Sequence, residues 1–329
     1  MLLRVGYTEG DPETYALPLG FAHGSKARAI EQRAPQAAVA LLRSQERDGS
    51  REGIVYDAVW DQRFADLLLD AIGRRRRFRG AVGEIVASAT SAFRHLRGSP
   101  EEELAASVAP WEQSNTSIVY GNRLILKLFR RVDEGVNPDL ELGRFLTERT
   151  AFAHVPQVAG ALEYRPARGE PMTLAILQGY VPNEGDAWRY TLDALGNYFE
   201  LAATRPHGDE EVEVPRRPLV DLCQEELPSL AKETIGAYLE SAQLLGRRTA
   251  ELHVALASDT TDASFAPVPF STLQQRSLYQ SMRSQASQVF QLLRNRLHTL
   301  PDAAREDALR VLDLEEQVLG RFRSLLDQR

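Results

Sequence analysis

The apolar positions of the first hundred residues predict strands with one helix. Residues 1–22 alternate short apolar pieces with turn signals, a pattern typical of a β-hairpin. The run REGIVYDAVW, residues 51–60, predicts another strand. Apolar residues at helical spacing over 64–72 then predict a helix that ends at Gly73. We therefore expect an N-terminal subdomain over residues 1–105.

The next stretch, residues 106–185, predicts a lobe rich in strands. SIVY and RLILKLF are joined by Gly121-Asn122, a dipeptide suited to a two-residue hairpin turn. Asn137-Pro138-Asp139 then supplies a helix N-cap, a proline at the first helical position and an acid in the first turn. VAGALEYRP and MTLAILQGYV predict two further strands. The predicted order is strand, strand, helix, strand, strand.

From residue 186 onward the apolar pattern changes to helical spacing. Residues 233–258 repeat apolar positions every three or four residues, which predicts one long helix at the centre of this region. Two more long helices are predicted over 271–297 and 301–327. The charged, proline-bearing segment 201–218 is expected to be a mobile insertion.

Lys127 lies in the middle of a strongly apolar run, NRLILKLFRR, which predicts a strand buried on both sides. Burying an unpaired ammonium costs roughly several kcal/mol, so Lys127 needs a carboxylate or a phosphate. Glu141 on the next helix is the candidate carboxylate. Phosphotransferases hold the phosphates of ATP with this layout of strand lysine and helix acid. A lysine that extends from a strand edge to water explains the spacing equally well.

A polar segment, EQSNTS, precedes the first strand of the lobe, where such folds cover the nucleotide. It has no glycines, so neither a P-loop nor a GxGxxG loop is present. The side chains of Ser114, Asn115, Thr116 and Ser117 are suited to bonding phosphate oxygens. A polar turn before a strand has the same composition.

Composition narrows the classes of function. The 329 residues include 39 basic and 46 acidic ones, a net charge of −7, and the basic run 74–79 is more typical of a solvated turn than of a nucleic-acid footprint. Cys223 is the single cysteine, and no two of the six histidines have metal-ligand spacing. No run is apolar enough to span a bilayer, and no signal-peptide pattern follows Met1. We expect a cytoplasmic protein without nucleic-acid or membrane partners.

The triplet His207-Gly208-Asp209 matches one whose aspartate is the catalytic base of many small-molecule kinases. Here it lies in a charged segment, with no apolar strand after it. No asparagine or glutamine stands nearby to bind the metal. We interpret the match as a coincidence, because a motif counts only in its expected structural setting.

Several of these stretches together resemble bacterial maltokinases, especially the maltokinase-type domain fused to trehalose synthase. The likeness runs through EQSNTSIVYGNRLILKLFRRVDEGVNPDLELGRFLTE, HVPQVAGALEYRP, LQGYVPNEGDAWRYTLD and LGRRTAELHVALAS. It implies an α+β, protein-kinase-like fold of the aminoglycoside phosphotransferase type, with an N-terminal cap, a β-rich N-lobe and a partial helical C-lobe. It also implies ATP, Mg2+ and maltose or a related disaccharide as ligands, with maltose 1-phosphate as the product.

The resemblance assigns roles to individual residues. Lys127 corresponds to the strand lysine that binds phosphate, and Glu141 to its helix partner. Residues 114–117 correspond to the turn that covers the nucleotide. The segment Gln178-Gly179-Tyr180-Val181 corresponds to the hinge that contacts adenine through backbone hydrogen bonds.

The sequence also departs from the family pattern. The family's HGDxHxxQ catalytic loop, its DFEGEP-like metal motif and its opening RWFGGK-like motif are absent. No catalytic aspartate or metal ligand is therefore assigned, and we expect an inactive or incomplete portion of a kinase, because phosphoryl transfer needs a positioned base and metal. The alternatives are a non-catalytic module that braces or regulates a trehalose synthase, and a fold completed by a separate polypeptide.

Overall fold

The structure is a computed structural model that describes residues 1–46, 49–109, 115–204, 217 and 219–326. It contains two compact units, Met1–Asp259 and Thr260–Arg329. The strands are β1 (Leu2–Val5), β2 (Glu13–Ala16), β3 (Leu19–His23), β4 (Ala38–Glu46), β5 (Gly49–Asp57), β6 (Arg77–Arg79), β7 (Gly83–Ala89), β8 (Ala106–Val108), β9 (Asn115–Tyr120), β10 (Leu124–Phe129), β11 (Arg131–Val132), β12 (Val158–Pro166) and β13 (Met172–Gly179).

All the described strands lie in the first unit, together with eight of the described helices. Those helices are α1 (Gly24–Arg33), α2 (Gln62–Gly73), α3 (Phe93–Arg97), α4 (Pro138–Arg149), α5 (Ala187–Thr204), α6 (Leu219–Leu222), α7 (Ser229–Ile235) and α8 (Tyr238–Leu256). The second unit contains α9 (Thr272–Arg296), α10 (Asp302–Asp313) and α11 (Glu315–Arg323). Short 3-10 turns occupy Pro35–Ala37, Ala58–Trp60, Leu297–Thr299 and Ser324–Leu326.

Three antiparallel sheets organise the first unit. In the order in which their strands pair, they are β1-β2-β11, β3-β5-β4 and β6-β7-β12-β13-β10-β9-β8. The third, called the large sheet below, joins strands from both predicted N-terminal regions, because β7 pairs with β12 over seven residue pairs. The predicted division into residues 1–105, 106–185 and 186–329 stays a prediction.

The main core lies between one face of the large sheet and helix α2. Strand β10 contributes Leu124, Leu126 and Leu128, and α2 contributes Leu68 and Ile72. These alternate strand residues share one face because side chains alternate across a strand. The hydrophobic effect on this set stabilises the sheet that carries Lys127.

Several predicted elements are confirmed. The N-terminal hairpin forms from β1 and β2, α2 ends at Gly73, and β12 and β13 follow α4. The N-cap predicted at Asn137 is present, since its side chain accepts a hydrogen bond of 3.2 Å from the Leu140 N–H. Asp61 caps α2 in the same way, through the Arg63 N–H. Local capping chemistry thus fixes both helix starts.

Three predicted elements differ from the structure. The β9–β10 hairpin has a three-residue connection, because Tyr120 pairs directly with Leu124. The long helix predicted over 233–258 is two helices, α7 and α8, separated at Gly236, whose φ of +62° lies in the left-handed region where a helix ends. The helix predicted over 301–327 is also divided, into α10 and α11, at Leu314.

The helices of the first unit after residue 186 bury none of their described residues. This holds for α5, α6, α7 and α8, so the apolar positions that predict the long helix over 233–258 are partly or fully exposed. In the predicted insertion 201–218, α5 extends to Thr204, and residues 205–216 and 218 lie outside the described residues. No helix in the described ranges is long and apolar enough to cross a membrane.

Candidate functional site

Lys127 lies near the middle of the large sheet, opposite Ser117 of β9 and Ile176 of β13. Its strand alternates buried leucines with half-buried residues, and 32% of its side chain is exposed. The prediction of a strand buried on both sides is therefore wrong for this face. Helix α4 packs Leu140 against Val158 and Ile176 but leaves the Lys127 end of the face partly open.

The carboxylate that meets Lys127 belongs to Asp139. The Lys127 Nζ lies 3.2 Å from the Asp139 Oδ2, so the contact expected of Glu141 is made two residues earlier in α4. Two residues correspond to about 200° of rotation around a helix, so Asp139 and Glu141 point to nearly opposite sides and only one can face the strand. The acid that contacts Lys127 thus lies on the predicted helix, but it is Asp139 and not Glu141.

Two neighbours stabilise the positive charge of the Lys127 ammonium, the Phe129 ring and the Asp139 carboxylate. The Lys127 Nζ lies 5.3 Å from the centroid of the Phe129 ring. Asp139 belongs to the first turn of α4, where the partial positive charge of the helix also attracts anions. The ion pair is half-open to solvent, with 58% of the Asp139 side chain exposed, so it contributes at most about 1 kcal/mol to stability.

The predicted nucleotide-covering turn is mostly strand. Asn115, Thr116 and Ser117 begin β9, and Ser114 lies outside the described residues. Ser117 shares the face of Lys127, since the two are directly opposite each other. Thr116 points to the other face, where its Oγ1 accepts a hydrogen bond of 2.8 Å from the Arg130 Nε.

Arg130 is a residue that the sequence analysis missed. Besides bonding Thr116, its guanidinium lies 2.7 Å from the Asp57 Oδ2. Asp57 ends β5 and also accepts a hydrogen bond from the Val59 N–H. Arg130 therefore ties the β3-β5-β4 sheet to the hairpin that carries Lys127. The position of Arg130 directly after β10 is the feature of the sequence that could have indicated it.

A cleft of about 560 Å³ opens at the end of the Lys127 face. Its walls are Asn115, Phe129, Thr173 and the segment 130–138, which leads into α4. Asn115 and Phe129 are directly opposite each other and on the same face as Lys127. The volume lies in the usual range for small-molecule sites, about 300–1,000 Å³. The cleft and Lys127 together form the candidate nucleotide face.

The predicted hinge has two of its backbone donors engaged within the protein. The Gly179 N–H donates to the Gln157 carbonyl at 2.9 Å, and the Tyr180 N–H donates to the Arg123 carbonyl at 2.8 Å. Gln178 is opposite Ile125 and so shares the face of Lys127. Val181 is exposed and follows the strand. The adenine-binding role of this segment stays a prediction.

The described residues contain no metal site. No group of three or more His, Cys, Asp or Glu side chains within them is placed to hold a metal ion. Mg2+ therefore has no assigned ligands here, and no chemical step is derived through it. His207-Gly208-Asp209 lies outside the described residues.

Among solved structures, the chain is similar to glucosamine kinases. No protein-family model matches the chain. A glucosamine kinase in complex with glucosamine, ADP and inorganic phosphate is similar over 97% of this chain and 59% of its own, with a TM-score of 0.47 and 18% identity. Crystal form B of a glucosamine kinase is similar over 90% of this chain and 63% of its own, with a TM-score of 0.44 and 18% identity. Crystal form A is similar over 97% of this chain and 57% of its own, with a TM-score of 0.45 and 18% identity. The chain thus spans about three fifths of the length of the glucosamine kinases to which it is similar.

Proposed function

We propose that this chain is the nucleotide-binding portion of an ATP-dependent sugar kinase of the maltokinase type. The observation that carries the proposal is the Lys127–Asp139 pair, which joins the middle of the large sheet to the first turn of α4. A strand lysine held by a helix acid is the arrangement with which kinases position ATP phosphates. Maltose or a related disaccharide, as the phosphate acceptor, follows from the sequence resemblance.

In this arrangement the protein's own residues bind and orient the nucleotide. Asp139 holds the Lys127 ammonium, which shares its face of the sheet with Asn115 and Phe129 of the cleft wall, and phosphate oxygens approach the exposed side of that ammonium. The site is only half-buried, so each charge interaction is partly screened by water and salt. Positioning the phosphates is one part of catalysis, and deprotonating the sugar hydroxyl is another.

The second part has no assigned residue in the described chain. Loss of the positioned base and metal removes most of the acceleration of phosphoryl transfer. We therefore propose that the chain binds ATP but phosphorylates sugars slowly or not at all by itself. The whole protein would complete the site.

A second candidate function is a non-catalytic module that braces or regulates a trehalose synthase. Exposed apolar side chains on α5 favour it, since Trp188 is 71% exposed and Phe199 is 60% exposed. Exposed large apolar groups often mark protein contacts. This candidate predicts no response of the melting temperature to ATP.

Thermal unfolding with and without ATP tests the nucleotide site. We expect ATP to raise the melting temperature, since a ligand at a hundred times its Kd stabilises the folded state by about 2.7 kcal/mol. Lys127→Ala should abolish the rise. Lys232→Ala is the matched control, because Lys232 also pairs with a carboxylate, Glu226 at 2.9 Å, but lies on α7.

Two acid variants separate the observed pair from the predicted one. Asp139→Asn should weaken ATP-dependent stabilisation by loosening Lys127, whereas Glu141→Gln should leave it unchanged. An ADP-release assay with a panel of sugars measures turnover in parallel. No ATP response in the unaltered chain contradicts the nucleotide site, and rapid phosphorylation of maltose contradicts the proposed inactivity.

A further inference from the structure

A second, larger cleft lies away from the candidate nucleotide face, between α2, α3 and the loop 98–104. Its volume is about 930 Å³. Its lining includes three apolar residues, Leu69, Phe93 and Leu104. None of its lining residues belongs to the candidate nucleotide face. The cleft is therefore a separate place in which a ligand can bind.

The loop that forms one wall has a fixed shape. The Arg97 guanidinium donates hydrogen bonds to the carbonyls of Ser99 at 2.6 Å, Pro100 at 3.4 Å and Glu102 at 2.7 Å. Arg123 pairs with the Glu102 carboxylate at 3.1 Å. A wall that is ordered before binding lowers the entropy lost on binding.

The walls carry both signs of charge in nearly equal number. Four arginines and five acids line the cleft: Arg74, Arg75, Arg94, Arg97, Asp66, Asp70, Glu101, Glu102 and Glu103. Asp70 is neutralised inside the wall, by Arg74 at 2.6 Å and Arg76 at 2.7 Å. Arg94, Glu101 and Glu103 also line the cleft, are exposed, and take part in none of the ion pairs found among the described residues.

Backbone geometry at the same wall is unusual. Arg75 has φ of +53° and is the one non-glycine residue with positive φ in the described chain. A left-handed backbone is uncommon for such a side chain and is found more often at functional sites. Its guanidinium donates to the Ala89 carbonyl at 3.2 Å, which holds the end of α2 against β7.

From these observations we propose that the α2–α3 cleft binds a neutral oligosaccharide. Balanced charge gives little attraction for a simple anion or cation, and the charged walls disfavour a lipid. A sugar hydroxyl both donates and accepts, so it bonds carboxylates and guanidinium groups together. The apolar lining residues, with the Phe93 ring among them, suit packing against the C–H face of a sugar ring.

Isothermal titration calorimetry in the absence of ATP tests the proposal. The probes are maltotetraose, cellotetraose, inorganic phosphate and glycine. We expect saturable binding of at least one tetrasaccharide and no binding of phosphate or glycine. The two sugars distinguish an α-linked from a β-linked chain, and either supports the proposal.

Variants at exposed positions place the binding in the cleft. Arg94→Ala and Glu103→Gln should each raise the Kd about fivefold, the effect of one lost hydrogen bond. Arg168→Ala and Glu170→Gln, at the exposed turn between β12 and β13, are the matched controls and should change nothing. All four side chains are exposed, so the fold should persist, which circular dichroism checks.

Three results overturn the proposal: no binding of either tetrasaccharide, binding of phosphate or glycine in their place, or sugar binding that Arg94→Ala and Glu103→Gln leave unchanged. The outcome is independent of the kinase proposal. Lys127→Ala should abolish the response to ATP and leave oligosaccharide binding intact. A missing nucleotide site therefore does not count against the cleft.

Discussion

The strands and helices of the first unit differ in how they use their apolar residues. Residues 1–179 contain every buried apolar side chain that the structure describes in this unit. Helices α5 to α8 contain none, and their exposed side chains include Leu245 and Val254. Both regions have regular apolar periodicity in the sequence. Periodicity therefore reports that a segment can bury a face, and burial itself depends on which other segments are present.

This contrast separates two sources of stability. In the strand region, buried side chains contact one another across the large sheet and α2, so losing one leaves a cavity. In α5 to α8 no described residue is buried, so a single apolar substitution there removes few contacts. The following predictions test whether the two regions differ in this way in solution.

The largest expected difference concerns a leucine from each region. Leu126→Ala should lower the free energy of unfolding by about 2–5 kcal/mol, because Leu126 is fully buried in β10. Leu245→Ala on α8 is the matched control and should change it by less than about 0.5 kcal/mol, since 62% of Leu245 is exposed. Urea denaturation measures both. Equal losses would show that α8 is packed in solution.

A pair of glycines should give effects of opposite sign. A Cβ at Gly160 would clash with the Ser88 carbonyl oxygen and approach the Ile72 Cγ2 to 2.5 Å, so Gly160→Ala should destabilise by about 1–3 kcal/mol. A Cβ at Gly246 in α8 meets nothing within 4 Å, so Gly246→Ala should stabilise by about 0.5–1 kcal/mol. A destabilising Gly246→Ala would reveal a close contact at α8.

Two tyrosine hydroxyls test the same contrast with a hydrogen bond. The Tyr120 hydroxyl donates to the Ala65 carbonyl at 2.8 Å, and burial raises the pKa of that hydroxyl, so it stays a donor. Tyr120→Phe should destabilise by about 1 kcal/mol. Tyr190→Phe on α5 removes an exposed bond to Ser241 and should have almost no effect. Equal melting temperatures for both variants would contradict the difference.

The smallest expected effect depends on pH. Burial pushes the pKa of Asp61 upward, but hydrogen bonds from Lys26, Tyr56 and the Arg63 N–H outweigh it and lower the pKa overall. The stabilisation is therefore present above about pH 4, the usual pKa of an aspartate, and is lost as pH falls through the lower, folded-state pKa. Asp61→Asn should lower the free energy of unfolding by about 0.5 kcal/mol at neutral pH. It should also reduce the loss of that free energy at low pH, the part of the stability curve called the acid limb below.

The matched variant for the pH experiment is Glu251→Gln on α8. The Arg248 hydrogen bond lowers the pKa of Glu251, but that carboxylate is exposed to solvent. Its removal should leave the acid limb of the stability curve unchanged. Chemical denaturation at several pH values follows both variants. A flattened limb for Glu251→Gln would place a structured charge network in the helical region.

Local chemistry made much of the fold predictable. The cap at Asn137 and the end of α2 at Gly73 each depend on a few neighbouring residues. The presence of a hairpin around Gly121 was predictable in the same way, but its three-residue connection was not. The pairing of β7 with β12 depends on residues about 70 positions apart, and no short pattern specifies it. Gly236 was only partly predictable. The apolar spacing continues across it and predicts one helix, but its left-handed backbone ends α7 there.

The candidate site was predictable to the level of its elements. The sequence identified Lys127 from an isolated charge among apolar residues, and it identified the helix that supplies the carboxylate. The choice between Asp139 and Glu141 depends on how α4 is rotated about its axis. That rotation is set by packing of Leu140 against Val158, a contact between separate elements. The spacing of residues along the chain does not determine this rotation.

The pairing of β7 with β12 also protects the protein from association. An uncovered β12 would present a row of free N–H and C=O groups beside an apolar strand, which is a template for pairing with other chains. In the intact protein β7 occupies that row, and the edge passes to β6, three residues that include Arg77 and Arg79. Short, charged edge strands pair poorly with strands of other chains. By covering the edge of β12, the N-terminal region thus reduces the tendency of the sheet that carries Lys127 to aggregate.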